Sequence, residues 1–312
     1  MLLAVLMLLL GVALLTYGAD RLVAGSSAIA LRTGISPLLI GLTVVAFATS
    51  SPELVVSVMA ALQGQSGIAV GNVVGSNIAN LGLVLAAAAL LYPVRCEQET
   101  FKRELPLMVG AVALPFLLLY NGMISRIEGM VLLLLLVGFV AWQVHLARRQ
   151  MAGHQVAEEV GAYAGIDMGR AALFVVFGTG CLYVGSEAFL SGAITIGRAL
   201  GVSEAVIGLT LVSVGTSLPE LATTVAAAFK RETGMVLGNI IGSNVFNVLA
   251  VLGITATIIP LGAGGITYVD LSVMLLFSLV VWMAFAWRRD LGRVFGVLLL
   301  GAYLAYLAWL LV

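Results

Sequence analysis

The chain has 312 residues, of which 62% are hydrophobic and 10% charged, with 15 basic and 15 acidic side chains. Too little polar surface remains to cover a water-soluble globule, which excludes a soluble domain and with it a disordered, collagenous or disulfide-scaffolded chain. The balanced charge points to neither nucleic acid nor a polybasic membrane-surface anchor, leaving the lipid bilayer as the expected partner.

A helix needs about 20 apolar residues to cross the hydrocarbon core, so this length holds roughly ten spans. The first begins at Met1. It lacks a basic leader, and Gly18-Ala19-Asp20 runs on into further apolar helix, so it reads as a retained span and not as a cleaved signal. Apolar segments follow at about 36–62, 67–92, 104–121, 126–146, 170–197, 203–229, 234–261, 266–287 and 294–312, giving ten expected helices. One long polar stretch, Arg148 to Arg170 with Glu158, Glu159 and Asp167, separates residues 1–147 from 170–312, and 148–169 reads as a linker outside the membrane. Cys96 and Cys181 have no partner at metal-site or CxxC spacing and read as packing residues in helices. The acidic run Glu97, Glu99 and Glu104 reads as a solvated loop face. His145 and His154 read as solvated residues at or beyond a helix end.

Lysine and arginine are retained on the cytoplasmic side of short loops. Loops after odd-numbered spans carry twelve of them, from Arg32 to Arg293, and loops after even-numbered spans only Arg126 and Arg198. This asymmetry predicts a multi-pass protein of the cell (inner) membrane with both termini extracellular or periplasmic and the linker cytoplasmic.

The chain also repeats itself. Shifted by 167 residues, 36–55 aligns with 203–222 at 11 identical positions of 20, and 71–80 aligns with 238–247 without a gap. Five helices per half is an odd number, so the second half enters the membrane from the opposite side. The predicted fold class is an all-α integral membrane protein of two inverted-topology five-helix repeats with broken helices at the centre, a common transporter architecture.

Pro52 and Pro219 lie within spans and lack the N–H that would bond Ala48 and Gly215 four residues back, so each helix is expected to break there. Such backbone is tolerated at membrane depth only when buried in protein or lining a polar cavity. Glu53 and Glu220 follow these prolines. Thr49 and Ser50, like Thr216 and Ser217, fall on the same side of the turn as the carboxylate. The competing reading is a proline kink held by Ser and Thr, but an ionisable group at membrane depth is costly, and this pattern occurs twice. Asn72, Ser76 and Asn80 recur at i, i+4 and i+8 as one polar stripe, with Asn239, Ser243 and Asn247 as its twin. These stripes could equally hold helices together. Gly71 and Gly75, like Gly238 and Gly242, read as packing faces for the broken helix of the same half. Converging carboxylates, hydroxyls and amide oxygens suit a hard cation, since Ca²⁺ takes 6 to 8 oxygens at about 2.3–2.6 Å. Asp20 and Glu187 also correspond under the shift and read as structural partners, Asp20 of Arg21.

Ala48-Thr49-Ser50-Ser51-Pro52-Glu53 with 71–80, and Gly215-Thr216-Ser217-Leu218-Pro219-Glu220 with 238–247, resemble the two repeat motifs (about 36–82 and 203–249) of the cation/calcium exchanger superfamily, closest to compact prokaryotic sodium/calcium exchangers. The resemblance covers essentially the whole chain. It implies alternating access around a cation site formed by Thr49, Ser50, Glu53, Ser76, Asn80, Thr216, Ser217, Glu220, Ser243 and Asn247, joined by the backbone carbonyls of Ala46 and Ser213. Two departures from the family pattern stand out: Asn247 replaces an Asp found in some members, and Ala48 and Ser51 replace the usual Gly and Leu. The implied function is a Ca²⁺/Na⁺ antiporter that is not an enzyme and needs no cofactor. A Ca²⁺/H⁺ antiporter is the alternative, and a cation channel the alternative of another class.

Overall fold

A helix satisfies its backbone N–H and C=O groups within its own segment, which is what apolar runs of this length require in lipid. The computed structural model describes residues 1–151, 163–201 and 213–310, and these are mostly helical. In chain order the helices are α1 (Leu2–Thr33), α2 (Pro37–Thr49), α3 (Ser51–Leu62), α4 (Ser66–Leu91), α5 (Gln98–Lys102), α6 (Glu104–Leu118) and α7 (Arg126–Met151). After the linker come α8 (Met168–Ala199), α9 (Ser213–Thr216), α10 (Leu218–Phe229), α11 (Thr233–Ile258), α12 (Tyr268–Trp287) and α13 (Arg293–Leu310).

Among the described residues, seven helices are long and apolar enough to cross a membrane, and α2 with α3, bent by 41°, makes an eighth. The expected ten are therefore not all met. Helix α6 has 15 residues, which is about 22 Å and short of a 30 Å core. Helix α10 has 12, and 203–212, expected to belong to its span, lie outside the described residues. So do 152–162 of the expected linker, with His154, Glu158 and Glu159, and so does Glu204.

Helix α11 is enclosed along its whole apolar stretch and α4 along most of it, whereas α1, α7 and α13 leave most of theirs on the outside. The physical reason is composition: α4 and α11 carry the Gly, Ser and Asn residues that lipid would not solvate. Two close approaches set the arrangement. On α1 and α8, glycines seven residues apart interlock: a Cβ on Gly18 would lie 2.8 Å from the carbonyl oxygen of Gly178, and one on Gly178 2.7 Å from that of Gly18. On α11, a Cβ at Gly238 would lie 2.3 Å from the Leu38 carbonyl oxygen, and one at Gly242 2.6 Å from the Ala46 Cβ. Both contacts are with α2 of the first half. The second-half glycine face thus seats the broken helix of the opposite half, where the sequence led us to expect the same half.

Among the described residues, four short strands tie the loops. β1 (Val94–Arg95) pairs antiparallel with β4 (Asp290–Leu291), and β2 (Met123–Ile124) with β3 (Leu261–Gly262). The first pair joins two loops rich in lysine and arginine, the second two loops poor in them, so contacts sort the loops as the charge alternation does. Glu128 and Asp270 serve as helix caps: each accepts from the backbone and hydroxyl of the residue three before it, Ser125 and Thr267.

Three local expectations need correction. Glu104 is buried at the start of α6, 3.9 Å from Arg103, while Glu97 and Glu99 are exposed, so the acidic run is not one solvated face. Cys96 is free and buried but lies in the loop after β1 instead of in a helix, and burial pushes its thiol up to about 12. Asp20 is a structural partner, but its shorter ion pair is with Lys230 at 2.7 Å, against 3.8 Å to Arg21. His145 is exposed as expected, and Cys181 is free and buried on α8.

Candidate cation site

At both prolines the chain turns in the same way. Ser50 and Ser217 adopt nearly identical backbone angles, φ −84° with ψ 4° and 5°, and a new helix begins immediately after each. Proline suits the first turn of a helix, where its missing N–H has no partner to lose. The carbonyl that Pro219 frees, Gly215 O, accepts the Ser186 hydroxyl at 2.7 Å, and beside the other break Ser51 donates to the neighbouring Phe47 O at 2.7 Å. This restart puts Glu53 in the first turn of α3 and Glu220 in the first turn of α10. The partial positive charge of a helix N-terminus offsets some of the cost of burying a carboxylate there.

Glu53 and Glu220 are each only 1% exposed. Among the described residues neither forms an ion pair. The Ser50 hydroxyl, from the other half, donates to Glu220 Oε1 at 3.1 Å, and Ser243 reaches the same oxygen at 3.5 Å. Among the described residues, Glu220 Oε2 and both carboxylate oxygens of Glu53 have no hydrogen-bond partner, nor do Ser76 Oγ, Ser217 Oγ, Asn247 Oδ1 or either amide atom of Asn80. An unsatisfied buried polar group costs about 1–3 kcal/mol, and a charged one more, so this many together is not a packing arrangement. It is a set of oxygen donors suited to a hard cation. Among the described residues no three His, Cys, Asp or Glu side chains gather, so the donor set is two carboxylates supplemented by neutral oxygens.

The remaining expected ligands divide by how far the chain already uses them. Thr49 and Thr216 are buried and hydrogen-bonded to Asn239 and Asn72. Ser243 also lies 3.4 Å from Thr49 Oγ1. The Ala46 carbonyl accepts the Ser50 N–H at 2.9 Å; Thr49 Oγ1 lies 3.4 Å from it, farther than the 3.1 Å to Asn239 Oδ1, which takes the hydroxyl proton. Ser213 opens α9. Asn72 and Asn239, members of the polar stripes, have their hydrogen-bonding atoms engaged within the protein. Sequence reasoning passed over Asn77 and Asn244, one residue off the stripe. Asn77 Oδ1 accepts from Asn247 Nδ2 at 3.1 Å, which leaves Asn247 Oδ1 as the unpartnered atom. Their identity under the 167-residue shift was the signal that could have found them.

The sequence pattern of the sodium/calcium exchanger protein family matches residues 3–145 and 170–312. The chain is 40% identical to the inner membrane protein YrbG of Escherichia coli strain K12, over 99% of this chain and 97% of that one. It is 33% identical to the sodium/calcium exchanger MaX1 of Methanosarcina acetivorans, over 97% of each. A structure of the sodium-calcium exchanger NCX_Mj soaked with 10 mM Na⁺ and 10 mM Sr²⁺ superposes with a TM-score of 0.86 at 34% identity, covering 98% of both chains. With a membrane-protein composition, broken helices meeting at two buried glutamates, and a match running through both halves, this chain belongs to the sodium/calcium exchanger protein family.

Proposed function

We propose that the protein is a secondary antiporter that moves Ca²⁺ across the cell (inner) membrane in exchange for Na⁺, by alternating access around one central site. The observation that carries this reading is the pair of buried glutamates from the two broken helices, without an ion pair among the described residues and accompanied by the Ser76, Ser217, Asn80 and Asn247 oxygens, which have no partner there. The proposed ligands are Thr49, Ser50, Glu53, Ser76 and Asn80 with Thr216, Ser217, Glu220, Ser243 and Asn247, and the carbonyls of Ala46 and Ser213 as further oxygens. The hydrogen bonds of the two halves support reading the fold as two inverted five-helix repeats, 1–147 and 170–312, making ten spans. Asn72 bonds Ser57 as Asn239 bonds Thr224, and Thr49 bonds Asn239 as Thr216 bonds Asn72; each pair of bonds obeys the same 167-residue correspondence.

The charges suggest the mechanism. Two carboxylates are neutralised by one Ca²⁺, so the site crosses the low-dielectric centre without net charge. Three Na⁺ in its place leave one positive charge and make exchange electrogenic, whereas two protons leave none. The site therefore shuttles loaded with one ion species or the other and avoids a doubly charged empty state. The ions are cargo, and the protein acts as a transporter and not an enzyme.

Reconstituted in liposomes, the protein should accumulate Ca²⁺ when an outward Na⁺ gradient is imposed and not when a pH gradient of equal size replaces it. Uptake on the pH gradient alone would make it a Ca²⁺/H⁺ antiporter. Ca²⁺ flux indifferent to both gradients would make it a channel.

Orientation follows from the twelve-to-two distribution of lysine and arginine. With both termini outside and the linker cytoplasmic, a cysteine introduced at Gly153 in a cysteine-free background should resist an impermeant thiol reagent in intact cells and react after lysis. Labelling in intact cells would reverse the topology.

A further inference from the structure

The unpartnered oxygens described above stand beside a second set of polar groups with no atoms to spare. Asn72 Nδ2 donates to the Glu53 carbonyl oxygen at 3.1 Å and to Ser57 Oγ at 3.0 Å. A carbonyl only accepts, so this atom is the amide nitrogen and the other is the oxygen. That oxygen accepts the hydroxyl of Thr216, in the opposite half, at 3.3 Å. The twin repeats two of these three bonds, without the carbonyl contact: Asn239 Nδ2 contacts Thr224 Oγ1 at 3.0 Å, and its oxygen takes the Thr49 hydroxyl at 3.1 Å. Both asparagines are buried, and neither leaves an amide atom unpartnered.

We infer that Asn72 and Asn239 are positioning residues, each holding in orientation the threonine hydroxyl that the opposite half contributes to the cation site. The inference rests on the proposed ligand role of Thr49 and Thr216. A hydroxyl has one proton and two lone pairs. Once its proton is committed to an asparagine oxygen, the lone pairs are fixed relative to the helix, and a cation meets a preset oxygen instead of a rotating O–H. Each asparagine is in turn anchored in its own half, Asn72 to the broken helix at Glu53 and Ser57, and Asn239 to Thr224. Each half thereby sets the geometry of a ligand carried by the other.

Double-mutant cycles on Na⁺-driven Ca²⁺ uptake test this, with the half-saturating Ca²⁺ concentration and the maximal rate both measured. Asn72→Ala, Asn239→Ala, Thr49→Ala and Thr216→Ala should each raise half-saturating Ca²⁺ about tenfold, with a smaller change in maximal rate. Asn72→Ala with Thr216→Ala, and Asn239→Ala with Thr49→Ala, should be no worse than the weaker-binding single variant, because each asparagine acts through that threonine. The same-half combinations, Asn72→Ala with Thr49→Ala and Asn239→Ala with Thr216→Ala, should multiply to about a hundredfold. A residue that only supports packing would multiply with both threonines. Independent effects in the cross-half pairs overturn the inference, as does coupling confined to same-half pairs. If an alanine variant does not purify as a monodisperse protein, Asn72→Ser and Asn239→Ser replace it, keeping a polar group in the packed span but falling short of the threonine. Glu53→Gln separates the two levels: normal Ca²⁺ transport in that variant defeats the site itself, whereas loss of transport with multiplicative cross-half pairs defeats only the clamp.

Discussion

Glu53→Gln and Glu220→Gln should each abolish Ca²⁺ transport while leaving the protein folded in the membrane. Glutamine preserves shape and an acceptor oxygen but removes one of the two negative charges that offset a divalent ion. In a site that excludes water, no solvent replaces it. A buried charge left half-compensated costs several kcal/mol, and 1.4 kcal/mol is already tenfold in affinity, so the expected loss is 100-fold or more, about the detection limit of tracer uptake. Folding should survive, since no salt bridge among the described residues depends on either carboxylate. Asp20→Asn provides the contrast. Its carboxylate is partly exposed and bound to Lys230, away from the broken turns, so transport should fall far less. Normal Ca²⁺ uptake by either glutamine variant, with its protein level and monodispersity unchanged, would remove the pair from the transport site.

Substitution of Gly238 should be among the most damaging changes to the fold itself. The atom a Cβ would meet at 2.3 Å is the Leu38 carbonyl oxygen, and the next, at 2.9 Å, is the Gly41 Cα; both are backbone, so no side chain can rotate aside. Overpacking in a well-packed core costs about 1–3 kcal/mol and occasionally more. Gly238→Ala should therefore lower the thermal midpoint in detergent clearly, and Gly238→Val should leave little folded protein. Transport by the alanine variant should fall too, because forcing α2 off α11 separates Thr49 from Asn239. Gly110→Ala on α6 is the control: among the described residues its Cβ position meets no atom within 4 Å, and stability should be unchanged. Equal midpoints for Gly238→Ala and wild type would mean that the two helices do not approach this closely.

The buried polar residues of the candidate site stood out in the sequence because their determinants are local. A proline within a span breaks a helix wherever it sits, and a glutamate after it is unmistakable in so apolar a chain. The repeat marked both places twice, and Thr49, Ser50 and Glu53, like Thr216, Ser217 and Glu220, are all buried. The roles within the stripes were less legible. Spacing at i, i+4 and i+8 made Asn72, Ser76 and Asn80 look alike, yet Asn72 is engaged on both sides of its amide while the Ser76 and Asn80 side chains have no partner among the described residues. Asn77, off the stripe by one residue, holds Asn247 instead.

A membrane-protein composition, most of the long apolar helices and the two helix breaks were determined by the sequence alone, since composition, apolar length and proline chemistry act over a few residues to a few turns. Tertiary structure alone decided which half each group faces. Ser50 meets Glu220, Thr49 meets Asn239 and Gly238 meets Leu38, pairs 170 or more residues apart. A polar stripe or a small-residue face can be satisfied as well by its own half as by the other. Nothing in the periodicity distinguishes the two, and the choice falls to whichever backbone approaches closely enough for a hydroxyl to reach an amide.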